Sequence, residues 1–151
     1  MDIQVKTISE LTAEELLTIF IERVAVFVVE QNCPYQEADE EDKTALHLCF
    51  TEGPNLQAYS RIIDKGDYVT FGRVLVVQHA RNQHLGRQLV QRTIEEIQQR
   101  FPGKTITISG QAYLQKFYES FGFRTVSEEY LEDGIPHIDM TLFSQESLGS
   151  I

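Results

Sequence analysis

Gly72-Arg73-Val74-Leu75-Val76-Val77 and, after three intervening residues, Arg81-Asn82-Gln83-His84-Leu85-Gly86-Arg87 set the frame for the whole chain. The first run ends a strand and is apolar on both faces. The second opens a segment in which Leu85, Leu89, Ile94 and Ile97 lie at near-helical spacing until Phe101-Pro102-Gly103 stops it, which predicts a helix over 85–100. A strand that passes through a short turn into a helix leaves successive amides facing outward at the helix start. Together with the helix dipole, such amides make a preformed anion site suited to pyrophosphate. Gly86 admits a phosphate close to the backbone, and Arg81 and Arg87 add positive charge. An ordinary connection with two solvated arginines has the same pattern, so this segment alone names no ligand.

Towards the N-terminus, Ile3-Val5-Thr7 alternates with polar residues as a short strand. Thr12 and Glu15 form a capping-box pair, and Leu16, Ile19, Phe20, Arg23 and Phe27 then recur at helical spacing, so a helix is expected from Ala13 towards Phe27. Glu30 to Lys43 is an acidic loop broken by Pro34, with five acids between Glu37 and Asp42. Strands are expected over 45–51 and 57–63, flanking the turn Glu52-Gly53-Pro54-Asn55, and over 68–77, where Gly72 marks a bulge or a close backbone approach. Towards the C-terminus a strand over 105–108, a helix over 112–121 closed by Gly122, and a strand pair over 123–130 and 136–143 complete the order. The result is a mixed α/β chain with strand-helix-strand crossovers in its second half, where a ligand site at strand C-termini is expected.

Composition bounds the function. At 151 residues, 42% hydrophobic and 24% charged, the chain fits one globular domain. No stretch has the apolar length of a membrane span, and Met1-Asp2-Ile3-Gln4 lacks the basic start of a signal peptide, so a cytoplasmic protein with no membrane partner is expected. Cys33 and Cys49 are too few for a disulfide framework and are read as reduced thiols, one packed and one half-exposed. The net charge of −10 is uneven: from Phe71 to Val126 eight Lys/Arg face three acids, whereas the remainder carries five basic and twenty acidic residues. An anionic ligand would be met by the first segment and a cationic one by the second. Nucleic-acid binding is disfavoured because most of the surface would repel phosphates. The four histidines lack metal-ligand spacing, so no metal is expected.

Arg81-x-x-His84-x-Gly86 resembles the acetyl-CoA motif of GNAT acetyltransferases, Arg/Gln-x-x-Gly-x-Gly/Ala at the end of the fourth strand. His84 stands where the family has its first glycine, which requires an allowed φ for a residue with a side chain. A second block, Gln111-Ala112-x-x-x-x-Phe117-Tyr118-x-x-x-Gly122-Phe123, resembles the family's other CoA-contacting element. Val26 to Tyr35 with the acidic loop and His47, and Glu132-Asp133-Gly134-Ile135-Pro136-His137-Ile138, resemble the ElaA-like branch. The resemblance implies one GNAT domain over 1–151, with a mixed central sheet of about six or seven strands flanked by helices.

It further implies acetyl-CoA as co-substrate, an amine on a small molecule or peptide as acceptor, and direct attack on the thioester. CoA would lie along Leu75, Val76 and Val77, with its pyrophosphate on Arg81, Asn82, Gln83, His84, Leu85, Gly86 and Arg87, and with Gln111 and Phe117 beside it. The Leu75 amide would stabilise the oxyanion and Tyr118 would protonate the departing thiolate. Glu30, Asp39 and His47 border the acceptor side as candidate bases, with His137 a similar case near the last strand; each also has a plain structural reading. The acidic loop from Glu37 to Asp42 is expected to attract a cationic acceptor. A homodimer through an edge strand is compatible with the sequence. Three readings stay open: a catalytic N-acetyltransferase, a GNAT-fold module that holds acyl-CoA without turnover, and an interaction domain with no CoA site.

Overall fold

The computed structural model describes residues 1–144, so the last seven residues of the expected 1–151 domain lie outside the described residues. In chain order the strands are β1 (Asp2–Lys6), β2 (Leu46–Glu52), β3 (Asn55–Asp64), β4 (Tyr68–Val76), β5 (Thr105–Gln111), β6 (Arg124–Thr125), β7 (Tyr130–Glu132) and β8 (Ile135–Leu142); the helices are α1 (Ala13–Val24), α2 (Leu85–Arg100) and α3 (Gln115–Glu119). All eight strands form one sheet in the order β1-β2-β3-β4-β5-β8-β6, with β7 also on β8. Every pairing is antiparallel except β4 with β5.

The mixed α/β architecture is the expected one, with one strand more than the six or seven anticipated. The strand expected over 123–130 divides in two. The Ser127 hydroxyl accepts the Asp139 amide that would otherwise serve the ladder, and the chain leaves β8 until Tyr130. It then turns through Asp133 and Gly134, with φ of 52° and 76°, the left-handed pair that a two-residue hairpin demands.

Local signals account for most of the rest. Thr12 and Glu15 close the capping box at the start of α1, which continues as a π-helical turn over Ala25–Glu30. α2 spans the expected 85–100 and lays Leu85, Leu89, Val90, Thr93, Ile94 and Ile97 on β3 and β4. The helix expected over 112–121 begins with a 3₁₀ turn at Ala112–Leu114, and Gly122, at φ 100°, caps α3. Cys33 and Cys49 are both buried free thiols, so the expected half-exposed one is absent.

The bulge lies one residue beyond Gly72. Arg61 stands opposite Gly72 and Tyr59 opposite Leu75, so Arg73 and Val74 share the position across Ser60, with Arg73 at φ 50°. β4 and β5 pair only at Tyr68–Thr105 and Val69–Ile106. Beyond that point β4 follows β3 to Val76, and β5 follows β8 to Gln111. The sheet therefore splits at the C-terminal ends of its two parallel strands, over a length of roughly 20 Å at strand rise.

Candidate active site

The split is the candidate site. A cleft of about 550 Å³ opens there, walled by Gly72, Arg73 and Val74 of β4, by Ile108 to Gln111 of β5, and by Tyr118, with Gln31, Cys33 and Tyr35 from the segment after α1. The Val77 amide donates to Gln57 O at 3.0 Å, which fixes the phase of the β3–β4 ladder. Because hydrogen-bonding and outward-facing residues alternate in an antiparallel pair, Leu75 turns its N–H and C=O towards Tyr59, and Val76 turns its own towards the split. The oxyanion donor expected at Leu75 and the CoA pairing expected at Val77 are thereby corrected: both residues are committed to β3. The outward groups are those of Val76 and the peptides that the bulge takes off the ladder at Arg73 and Val74.

The turn after β4 delivers α2 with an open N-terminus. His84 is its N-cap and offers no side-chain hydrogen bond, so the first amides of α2, at Leu85, Gly86 and Arg87, have no intrahelical acceptor. His84 adopts φ 59° and ψ 21°, the left-handed conformation a glycine would take, and Asn82 is also left-handed at φ 69°. The side chain at the first glycine position therefore leaves the turn intact at a cost of about 1 kcal/mol. Asn82, Gln83 and His84 are exposed. At Gly86 a Cβ would meet only Val76 Cγ2, at 3.9 Å, so packing does not explain the glycine, and the backbone there is open to close approach. Arg87 donates to Ser120 Oγ at 3.0 Å and lies over the Phe121 ring. These donors suit the pyrophosphate of a CoA-type substrate.

Arg81 is engaged. Its Nε donates to Val76 O at 3.0 Å, and its two terminal nitrogens donate to Glu30 at 2.5 and 2.8 Å. The two residues are 51 positions apart, and nothing local announced the pair. The hydrogen bond from Arg81 holds the Glu30 carboxyl below its ordinary range, the opposite of what a general base at neutral pH needs.

Tyr118 reaches the cleft from α3, packed edge-on between Phe117 and Phe123. Burial pushes its hydroxyl up to about 12, so it carries its proton throughout the neutral range. Gly110 makes room for it: a Cβ there would lie 3.2 Å from Tyr118 Cε2. The glycine within β5 was the only sequence signal for this contact. Gln111 lines the cleft and donates to Gln31 Oε1 at 3.3 Å. Phe117 packs against Tyr118 and Phe121.

His47 is not at the site. It is fully buried, its Nε2 donates to Asp42 O at 3.1 Å, and its Nδ1 accepts from the Tyr59 hydroxyl at 2.6 Å. Burial lowers its pKa, so it stays neutral with both nitrogens occupied and cannot serve as the base.

The acidic loop is not a free anionic surface either. Arg23, among the residues of α1 that recur at helical spacing, is fully buried and donates to both Glu37 oxygens (3.0 and 2.9 Å) and to both Asp42 oxygens (2.7 and 3.2 Å). Arg73 Nε lies 2.6 Å from Glu37, and Arg61 donates to Asp39 and Asp42. Burial alone would raise the Asp42 carboxyl, but the Arg23 hydrogen bond, the Asp39 amide and the two guanidinium charges hold it at about 2. Three arginines thus neutralise Glu37, Asp39 and Asp42, and the loop becomes a fixed wall of the cleft. The cationic-acceptor expectation based on this loop is corrected accordingly. An arginine in a helical core stripe was the signal for the network.

A mixed sheet split between two parallel strands, with an uncapped helix N-terminus and a buried tyrosine at the split, defines the class, and residues 8–143 match the Acetyltransferase (GNAT) domain. The chain belongs to the GNAT acyltransferase family. It is 44% identical over 137 residues to protein ElaA of Escherichia coli K12, covering 87% of this chain and 90% of that protein. It is 41% identical over 140 residues to a UPF0039 protein of Schizosaccharomyces pombe, covering 91% and 93%. The crystal structure of E. coli ElaA matches with a TM-score of 0.89 at 42% identity, covering 93% of this chain and 99% of that one. That of an acyl-CoA N-acyltransferase from Pseudomonas aeruginosa matches with a TM-score of 0.89 at 40% identity, covering 93% and 97%. These relatives place the chain in the ElaA-like branch.

Proposed function

We propose that this protein transfers an acetyl group from acetyl-CoA to a primary amine by direct attack on the thioester. The observation that carries the reading is the split between β4 and β5, with outward peptide groups on one wall and Tyr118 on the other. The peptide groups at Arg73–Val74 and at Val76 hold the thioester carbonyl and the arm of the co-substrate. A preorganised donor of this kind contributes about 3 kcal/mol in other acyl transfers. The first amides of α2 and Arg87 receive the pyrophosphate, joined by Arg81 once it leaves Glu30. Tyr118 gives its proton to the departing thiolate. With the 37–42 loop neutralised, the carboxylates left to meet an ammonium acceptor are Glu132 and Asp133, which line the cleft and have no Lys or Arg partner among the described residues.

The test is a thermal-shift titration with acetyl-CoA against adenosine, followed by amine-dependent CoA release. Acetyl-CoA is expected to raise the melting temperature saturably, as a ligand of the folded state does. Tyr118→Phe is expected to lower kcat by roughly tenfold to a hundredfold, since a thiol leaves with little help. No stabilisation by acetyl-CoA at millimolar concentration would sink the reading.

A further inference from the structure

We propose that His137 is the base that takes the proton from the acceptor amine, with Glu132 positioned to stabilise the imidazolium that results. The role rests on the chain being an acetyltransferase. The ring lines the cleft and is mostly buried, its side chain 12% exposed. Its Nδ1 lies 2.7 Å from Ile135 O, a group that only accepts, so Nδ1 carries the hydrogen and Nε2 keeps its lone pair. Glu132 Oε2 lies 3.5 Å from that Nε2, so a carboxylate faces the nitrogen that receives the proton. Tyr130 stacks on the imidazole and is itself pinned, donating to Asp139 at 2.6 Å and sharing a short hydrogen bond with Ser109. The ring is thus fixed in position, tautomer and facing charge by the protein's own groups.

Its placement suits the division of labour. Gly110 faces Tyr118, and Gln111, the next residue on β5, stands directly opposite His137. Neighbouring residues on a strand point to opposite faces, so the acid and the base approach the split from opposite sides of β5. A donor entering on the α3 side and an acceptor on the other side would then meet between them. The charged and titratable groups around the ring are Glu132 and Tyr130 on β7, Asp133 in the turn, Asp139 on β8, and Cys33 and Arg73 on the far wall of the cleft.

The step balances. His137 Nε2 takes one proton from the ammonium, and the freed lone pair forms the C–N bond at the thioester carbonyl. The C–S bond breaks with its electrons on sulfur, which Tyr118 protonates. The second nitrogen proton returns through water to the Tyr118 phenolate, and the imidazolium releases its proton to solvent. One amide, one thiol and one proton are formed.

The experiment uses the full chain. Imidazole ¹⁵N spectra are expected to show neutral His137 as the Nδ1–H tautomer, and Glu132→Gln is expected to lower kcat while that tautomer is kept. With spermidine, ethanolamine and a lysine peptide as acceptor probes, His137→Gln is expected to lower kcat by about a hundredfold. The melting-temperature rise produced by acetyl-CoA should be unchanged in that variant. An Nε2–H tautomer, or Glu132→Gln or His137→Gln turning over at the wild-type rate, overturns the role while leaving the transferase intact. A wild-type protein that releases no CoA with any of these amines overturns the transferase reading and this role with it.

Discussion

Glu30→Gln separates two roles for the residue that pairs with Arg81. If Glu30 is the base, its loss collapses kcat. Under the proposed function it is instead a competitor of the co-substrate's phosphates for the Arg81 guanidinium, which Glu30 holds through two hydrogen bonds of 2.5 and 2.8 Å. The pair is open to solvent, with side-chain exposures of 36% and 46%. Exposed ion pairs contribute about 0.2–1 kcal/mol, and bidentate geometry places this one near the top of that range. Glutamine still accepts one of the two hydrogen bonds, so roughly half of that energy is released and acetyl-CoA binding tightens by about two- to threefold. The gain shrinks as salt is added, because the removed competition is itself screened. Isothermal titration of acetyl-CoA into both proteins, at low and at high ionic strength, reads the effect directly. kcat is expected to stay within about twofold of wild type, since no proton transfer depends on Glu30. Weaker binding in Glu30→Gln, or a kcat lowered by orders of magnitude, would refute the reasoning.

Three further outcomes follow from the same geometry. His84→Gly relieves a left-handed residue and loosens the unfolded chain, and the net gain of about 0.5 kcal/mol raises the melting temperature by about 1–2 °C; a lower melting temperature counts against the strain. Arg23→Met leaves Glu37 and Asp42 buried with Arg73 and Arg61 as their only remaining cationic partners among the described residues. Urea unfolding is expected to show a loss of about 3 kcal/mol, or about 1.5 M in midpoint at an ordinary slope, and a shift of less than about 0.3 M would mean that the network contributes little. In acid, stability should fall in two stages. Burial holds the folded pKa of His47 below the ordinary imidazole value of 6.5, so its contribution is complete above that pH and declines as pH drops below it. Asp42, at about 2 when folded against 3.8, contributes about 2 kcal/mol that is lost between those two values. In His47→Gln the first stage should be absent from chemical unfolding measured across pH.

Wherever structure depends on neighbours in sequence, the sequence by itself determined it. The bounds of α2, the capping box of α1, the turn at Gly53-Pro54 and the order of strands and helices were legible, because periodicity, caps and turn residues act over one or two turns of chain. The motif around Arg81 falls on the turn into α2, and the block ending in Gly122-Phe123 falls on α3 and the turn after it. The phase of β4 was another matter. A single extra residue at Arg73–Val74 turns Leu75 inward and Val76 outward, and only pairing with β3 shows where the bulge falls. The fate of the charges was likewise decided in three dimensions. Arg23 meets Glu37 and Asp42, Glu30 meets Arg81, and His47 meets Tyr59, through contacts spanning 12 to 51 residues. An ionisable side chain reads alike in sequence whether it is solvated, buried in a pair or aimed into a cleft. What distinguishes these cases is the free energy of desolvation against that of a partner, and both terms exist only once the sheet has brought distant residues together.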